Sequence, residues 1–254
     1  MREGQASHTA QRVAAHRLTF DRVDAPYGDP EADEQLGRDV AGAISVSGTS
    51  PMVSYLRART AFFDGVVVNA LDRGVTQVVI AAAGYDGRAL RYGRPGVRWF
   101  EVDHPDTQRD KRARLDRLGL DTAHVTFVAA DFTVDDVGAA LAVAGHRADR
   151  VSLVLVEGVA VYLEQDVLRS LLRQLRTVAA PRSRMAISLS VDTGAAGTAA
   201  RRAAFQSAVA AMGEPARTVL TVDGARQLFE ATGWRAVEGS DRARRAGLVV
   251  AEPI

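Results

Sequence analysis

Short, almost wholly apolar runs alternate with helical segments along most of this chain. The runs occupy residues 77–83, 97–102, 125–129, 151–156 and 185–191, and helical patterns cover 51–72, about 106–118, 135–144 and 165–179. Strands buried on both faces carry continuous apolar sequence, and neighbouring parallel strands need a crossover connection that is usually a helix. The alternation therefore predicts an α/β fold with a Rossmann-like, doubly wound, mostly parallel sheet.

Both ends of the chain add to this core. Residues 234–237 and 247–251 have extended patterns that fit a hairpin on the sheet edge, which brings the expected sheet to seven strands, and 225–231 is helical. Residues 1–50 are helical and polar, so we expect a helical N-terminal lid there, with residues 51–254 as the main domain. The segment 194–220 interrupts the alternation and is a second candidate cover.

Composition excludes several classes of function. The 254 residues include 32 basic and 31 acidic side chains and no cysteine. Interleaved, balanced charge gives no basic stripe, so we expect no nucleic acid partner. Without cysteine there are no disulfides, thiolate zinc sites or cysteine nucleophiles. The polar start and the absence of an apolar run near the ~20 residues of a membrane span predict a cytoplasmic protein with no membrane partner.

In a doubly wound sheet the ligand binds beyond the carboxyl ends of the strands, at the point where strand order reverses. A glycine turn with Gly84 and Gly87 follows the first strand, and the second strand ends with Glu101 and Asp103. The turn fits a ligand cradle or an ordinary strand-to-helix connection. Either acid could bind a ribose hydroxyl, the other being a helix-capping or buried structural acid.

The third and fourth strands end in further candidates. Asp131 and Phe132 together suit the exocyclic amine and the face of an adenine, whereas Asp131 alone could cap the next helix. Glu157 follows a strand of valines and leucines, where a carboxylate needs a partner. Position alone therefore makes all four strand ends candidate cofactor contacts.

Four sequence blocks carry a resemblance to a known family. They read RTAFFD at 59–64, QVVI at 77–80 leading into AGYDGR at 83–88, FEVDHP at 100–105 with Lys111 downstream, and EGVAVYL at 157–163. In this order and spacing the blocks resemble the leucine carboxyl methyltransferase-like family of class I S-adenosylmethionine-dependent methyltransferases, including its actinobacterial small-molecule O-methyltransferase branch. The resemblance covers residues 57–189.

The resemblance implies S-adenosylmethionine as cofactor and S-adenosylhomocysteine as its product. Gly84 would lie against the methionine part, Asp103 would hold the ribose hydroxyls, and Glu157 would fix the methionine ammonium. Arg59 would pair with the carboxylate of the methionine or of a substrate, for which a guanidinium fork is suited. The implied cofactor-binding set is Arg59, Ala82, Gly84, Asp103, His104, Asp131, Phe132, Glu157 and Gly158.

The resemblance also implies the reaction. We expect an O-methyltransferase acting on a carboxylate or hydroxyl of a small molecule, in secondary metabolism, without a metal. The expected catalytic residues are Arg59, Tyr162 near the transfer site, and His16 of the lid as a base for a hydroxyl acceptor. Two alternatives stay open: a protein that binds the cofactor without methyl transfer, such as a cyclase or regulatory module, and a protein C-terminal carboxyl methyltransferase. A homodimer is a candidate assembly.

This chain departs from the family pattern at the glycine turn. The family usually reads LGAGLDTR, and here Ala81 and Ala82 replace the first two residues while Gly87 replaces the threonine. A methyl group at Ala82 would crowd the cofactor, and Gly87 would relax the turn. Lys111, the one lysine of the chain, is expected on the surface of its helix.

Overall fold

Seven strands form the main sheet of the computed structural model, which describes residues 7–44, 46, 50–194, 216–237 and 246–254. Five of them are parallel: β1 (Gln77–Ala81), β2 (Arg98–Asp103), β3 (Val125–Ala129), β4 (Ser152–Val156) and β5 (Arg184–Ser188). The hairpin of β8 (Trp234–Ala236) and β9 (Leu248–Pro253) completes the sheet, with β9 antiparallel to β5. A separate ladder pairs β6 (Val191–Asp192) with β7 (Leu220–Thr221).

Eight helices surround these strands in the described parts of the chain. They are α1 (His8–Arg17), α2 (Pro30–Ala41), α3 (Pro51–Asp72), α4 (Arg88–Arg91), α5 (Pro105–Leu118), α6 (Val137–Val143), α7 (Gln165–Thr177) and α8 (Val222–Ala231), and a 3-10 turn spans Ala160–Tyr162. Local sequence sets their ends: Ser50 Oγ accepts from the Val53 amide at the start of α3, and Gly119 ends α5 in the left-handed region at φ 64°.

The expected α/β fold with a mostly parallel, seven-stranded sheet is confirmed. Its strand order is β3-β2-β1-β4-β5-β9-β8, so the order reverses between β1 and β4. Both of these strands are buried along their whole length because α6, α7 and α8 pack on one face and α3 and α4 on the other. The ends of β1 and β4 therefore flank the crevice where a ligand is expected.

The two expected covers are only partly described. α1 and α2 are helical as predicted and pack against each other. Of the candidate cover at 194–220, residues 195–215 lie outside the described residues. None of the described helices is both long and apolar enough to cross a membrane.

Lys111 is buried, so its expected surface position is wrong. Its side chain is 3% exposed, and Nζ donates to Glu101 Oε2 and to the Asp86 carbonyl, both at 2.6 Å. Burial raises the pKa of Glu101, and the ammonium of Lys111 opposes that shift. Glu101 is thus the buried structural acid of the second strand, which leaves Asp103 as the acid at the crevice.

Replacing Lys111 with methionine should lower the free energy of unfolding by about 3–5 kcal/mol, because it leaves Glu101 as an uncompensated buried charge. Urea denaturation of the wild type and Lys111→Met measures this. The double variant Lys111→Met, Glu101→Met should recover at least half of the loss. Arg109→Met, which removes an exposed ion pair on the same helix, is the control. A loss for Lys111→Met no larger than that of the control would show that the buried pair is not stabilising.

His146 is a second buried titratable group, at the opposite end of the sheet from the crevice. Its Nε2 lies 3.0 Å from Ser152 Oγ, and its ring meets the Phe100 ring edge-on with centroids 5.2 Å apart. Burial, aided by the positive charge of Arg98, lowers the pKa of His146 to about 4. The folded protein therefore favours the neutral imidazole.

This depressed pKa predicts a pH-dependent stability. In the unfolded chain His146 binds a proton near pH 6.5, whereas in the folded protein it does so near pH 4. The contribution of the neutral imidazole to the free energy of unfolding is therefore present above pH 6.5 and is lost as pH falls towards 4. At pH 5 the loss should be about 2 kcal/mol relative to pH 7.5. Urea unfolding at both pH values should show that His146→Gln removes this part of the pH dependence. His8→Gln, at an exposed position, should keep the wild-type pH dependence. An equal change of the unfolding free energy with pH in both variants would contradict the assignment to His146.

Candidate functional site

A cavity of about 490 Å³ lies at the carboxyl ends of β1, β2, β3 and β4, where α1 covers it. The turn after β1, the three following strand ends, the 3-10 turn and α3 all contribute side chains. Of the residues expected from the sequence, the structure brings together at this cavity Arg59, Ala82, Gly84, Asp103, His104, Asp131, Phe132, Glu157, Gly158 and Tyr162.

The structure does not bring His16 to the cavity. Its ring stacks on Phe20, with centroids 6.2 Å apart, and burial lowers its pKa. The expected placement of His16 as a base facing substrate is therefore corrected. α1 instead presents Ala10, Val13 and Arg17 to the cavity. Arg17 escaped the sequence reasoning, although its four-residue spacing from Val13 puts both on one helix face.

Backbone amides hold Asp103 in place beside the glycine turn. Its Oδ2 accepts from the Gly84 amide at 2.5 Å, and Oδ1 accepts from the His104 amide at 2.6 Å. Burial raises the pKa of Asp103, while these two amides lower it. Each oxygen keeps a further lone pair, so the carboxylate can accept from a pair of ligand hydroxyls.

The helix after the glycine turn offers little to a ligand. α4 has four residues, and its first amide, that of Arg88, already donates to Asp86 Oδ1 at 2.8 Å. Gly87 has an ordinary φ of −97°, so it is not needed to relax the turn. A Cβ there would lie 1.8 Å from Asp33 Oδ1. Gly87 is required because α2 approaches the turn this closely.

Three guanidinium groups surround Glu157 at the end of β4. Oε1 accepts from Arg59 Nε at 2.8 Å, and Oε2 lies 2.6 Å from Arg88 Nη1 and 3.0 Å from Arg17 Nη2. Burial alone would raise the pKa of Glu157, but the three guanidinium charges hold it well below the usual value. These three arginines are therefore the partners that a carboxylate buried after an apolar strand needs.

Arg88 connects this cluster to α3 and to the glycine turn. It is fully buried, and besides Glu157 it donates to Asp64 Oδ1 of α3 at 2.7 Å and to Asp86 of the glycine turn. Gly158, next to Glu157, has φ 71°, and a Cβ there would lie 2.9 Å from Arg59 Nη1. Glycine at this position lets the Arg59 guanidinium lie close to the backbone.

The far end of the cavity contains Asp131 and Phe132. Asp131 Oδ1 accepts from the Thr133 amide at 2.9 Å and from its hydroxyl at 2.7 Å, and these bonds lower the pKa of Asp131. Asp136, not Asp131, caps α6. His104 caps α5 through Nδ1, which accepts from the Asp106 amide at 3.3 Å. His104 therefore stabilises the start of α5 and also lines the cavity.

Comparison with known proteins identifies relatives over most of the chain. The family described as Leucine carboxyl methyltransferase matches residues 5–176. A Mycobacterium marinum protein is 37% identical over 196 residues, and one from Mycobacteroides abscessus is 40% identical over 193. Both are named as S-adenosyl-L-methionine-dependent methyltransferases. The alignments cover 72% and 69% of this chain and 64% and 63% of the relatives, so the chain matches less than two thirds of their length.

Solved structures share the fold. A DUF574 family protein from Streptomyces avermitilis has a TM-score of 0.59 at 18% identity, with 98% of each chain covered. The magnesium protoporphyrin IX methyltransferase of Synechocystis, solved with bound SAH, has a TM-score of 0.53 at 12% identity, covering 86% of this chain and 93% of that one. These likenesses show the α/β architecture alone.

Ala82 adopts the left-handed region at φ 59°, where the family pattern has glycine. An L-residue in this region destabilises the folded state by roughly 1–2 kcal/mol, and glycine avoids this strain. The greater conformational freedom of glycine in the unfolded chain cancels about half of that gain in stability. Ala82→Gly should therefore raise the free energy of unfolding by about 0.5–1 kcal/mol, measured by urea denaturation. Ala81→Gly, one residue earlier in the buried strand β1, should instead destabilise the protein. A destabilising Ala82→Gly would mean that the methyl group contributes more by packing than it costs in backbone strain.

Proposed function

The chain belongs to the leucine carboxyl methyltransferase family, and from this membership we propose that it is an S-adenosylmethionine-dependent O-methyltransferase acting on a small molecule. S-adenosylmethionine is the cofactor that the family assigns, with S-adenosylhomocysteine as product. The observation that carries the proposal is the convergence of four strand ends, each with a different ligand chemistry, on one cavity.

The residues at the cavity fit this cofactor. Asp103 offers carboxylate lone pairs for two ribose hydroxyls, and Phe132 offers an aromatic face beside the Asp131 carboxylate for an adenine. At the other end Glu157 is an anion for the methionine ammonium, and Arg59 is a cation for the methionine carboxylate. The strand order β3-β2-β1-β4 supports assigning the adenine, ribose and methionine contacts in that sequence along the cavity.

When bound, the cofactor supplies a methyl group on a positively charged sulfur, and transfer forms a carbon–oxygen bond as the carbon–sulfur bond breaks, its electron pair staying on sulfur. The protein's contribution to such a displacement is to align the acceptor oxygen with the methyl carbon. Tyr162, on the 3-10 turn after β4, lines the same cavity as Arg59. We assign Tyr162 and Arg59 to orienting the acceptor and the methionine group.

The acceptor oxygen belongs to a carboxylate or a hydroxyl in this proposal. A carboxylate is already anionic at neutral pH and needs only to be oriented. A hydroxyl benefits from a base, but His104, the imidazole at the cavity among the described lining residues, accepts from the Asp106 amide at Nδ1, so its neutral form presents Nε2–H, a donor and not a base. We propose a small acceptor from secondary metabolism.

One observation favours a second candidate function, cofactor binding without methyl transfer. Ala82 places a methyl group in the cavity wall where the family pattern has glycine. A cofactor displaced by the Ala82 side chain would bind with its own transferable methyl group away from the acceptor. The two candidates share the cofactor site and differ in whether a methylated product is formed.

Titration calorimetry with S-adenosylmethionine and S-adenosylhomocysteine tests the shared site. Asp103→Asn should weaken binding of both at least about tenfold, because hydrogen bonds to a charged group contribute roughly 1.5–3 kcal/mol each. Asp116→Asn, at an exposed position on α5, should bind like the wild type. Absence of binding by the folded wild type would refute the proposal, and unchanged affinity in Asp103→Asn would refute the ribose assignment.

Incubation with methyl-labelled cofactor then separates the two candidates. A panel of small carboxylic acids and phenols, analysed by mass spectrometry, should give a labelled ester or ether. A protein that binds the cofactor and labels no member of the panel would favour the binding function.

A further inference from the structure

Tyr85 follows Gly84 in the glycine turn, where the family pattern LGAGLDTR has leucine. The residue is 4% exposed, so its phenol points into the protein. The hydroxyl donates to Asp110 Oδ2 on α5, and the Gln11 side chain of α1 hydrogen-bonds to the same hydroxyl. A leucine could fill the apolar space but could form neither bond. The phenol therefore adds polar links from the glycine turn to two helices.

The ring of Tyr85 is held by the helices that surround it. It belongs to one buried apolar cluster with Ala14 of α1, Leu36 of α2 and Leu115 of α5. The guanidinium of Arg114 lies over the ring, 5.7 Å from its centroid. Because the ring is packed on several sides, the position of the hydroxyl is fixed. The same packing is available to a phenylalanine.

α1 covers the end of the cavity that is assigned to the methionine group. It rests on the glycine turn, since a Cβ at Gly84 would lie 3.2 Å from the Ala10 Cβ. At this end the side chains of Arg59 and Glu157 are only 10% and 4% exposed. A ligand from solvent reaches groups so enclosed when α1 moves aside. Movement of α1 therefore controls both entry and exit of a ligand at this end.

We propose that Tyr85 is a positioning residue that holds α1 over the cofactor cavity, its hydroxyl joining Gln11 of α1 to Asp110 of α5. This contact of Gln11, Tyr85 and Asp110 is called the α1 latch, and the inference rests on the proposed cofactor site. The α5 end of the latch is fixed, because Asp110 also pairs with Arg114 at 2.7 Å.

The latch sets the rates of cofactor exchange. All of its groups belong to the protein, so it holds α1 to the same extent in the free and in the cofactor-bound protein. A contact that favours the covered state equally in both cancels from the binding equilibrium. It still slows the opening through which the cofactor enters and leaves. Tyr85 therefore governs both rate constants and leaves the affinity unchanged.

Surface plasmon resonance with S-adenosylhomocysteine on the full-length protein measures both rate constants. Tyr85→Phe keeps the ring and removes the hydroxyl. We expect association and dissociation each to become about tenfold faster, the order expected for loss of a hydrogen bond to a charged group. The affinity should stay within about threefold of the wild-type value, because the two changes cancel.

Matched variants separate the latch from a general loss of stability. Tyr27→Phe removes a tyrosine hydroxyl that donates to Asp72 Oδ1 at 3.0 Å, at a residue that does not line the cavity, and should keep both wild-type rates. Gln11→Met removes the α1 end of the latch. The double variant Tyr85→Phe, Gln11→Met should be no faster than Tyr85→Phe alone, because both changes break one contact.

Hydrogen exchange tests the latch without any cofactor. The backbone amides of α1 should exchange faster in Tyr85→Phe than in the wild type or in Tyr27→Phe, because α1 leaves the cavity more often. Thermal unfolding verifies that each variant is folded.

The latch would be overturned by wild-type rate constants in Tyr85→Phe, or by additive effects in the double variant. A weaker affinity without faster association would show that Tyr85 only supports the turn, and would overturn it as well. A wild type that binds no S-adenosylhomocysteine refutes the proposed function, and hydrogen exchange then decides the latch, since unchanged protection of α1 in Tyr85→Phe overturns it. The two failures are therefore distinguishable.

Discussion

The structure depends on the ion pairs of one fully buried side chain, that of Arg88. Asp64 on α3, Asp86 in the glycine turn and Glu157 at the end of β4 all accept from it. Removing any one partner would leave a charge uncompensated in the interior, which costs far more than an exposed pair is worth. The guanidinium therefore holds three elements from distant parts of the chain in one arrangement, and the candidate cofactor site is built on that arrangement.

The same network joins the N-terminal helices to the site. Asp33 on α2 accepts from Arg22 and Arg91, Arg22 also donates to Asp64, and Asp33 approaches the turn at Gly87. Residues 1–50 were expected to form a helical lid over the main domain. In their described part these residues share buried charges with the main domain, so the cavity wall and the core are stabilised together.

Sequence reasoning predicted the sheet and most of the cavity, because both follow from local patterns. Apolar runs report burial on two faces, and the acids after them must lie at the carboxyl edge of a parallel sheet. Lys111, His16 and Arg17 were misplaced or missed because their surroundings depend on which distant side chain faces them. The charged pattern of α5 does not reveal that Glu101 lies opposite Lys111, and nothing local to Gly87 indicates the approach of Asp33.

The environments of the two central acids match the two ends of the proposed cofactor. Asp103 has two backbone amides as its hydrogen-bond donors, which leave lone pairs to which neutral hydroxyls can donate without adding charge. Glu157 remains ionised because three guanidinium groups lower its pKa. A zwitterionic methionine head can bind there with its ammonium towards Glu157 and its carboxylate towards Arg59.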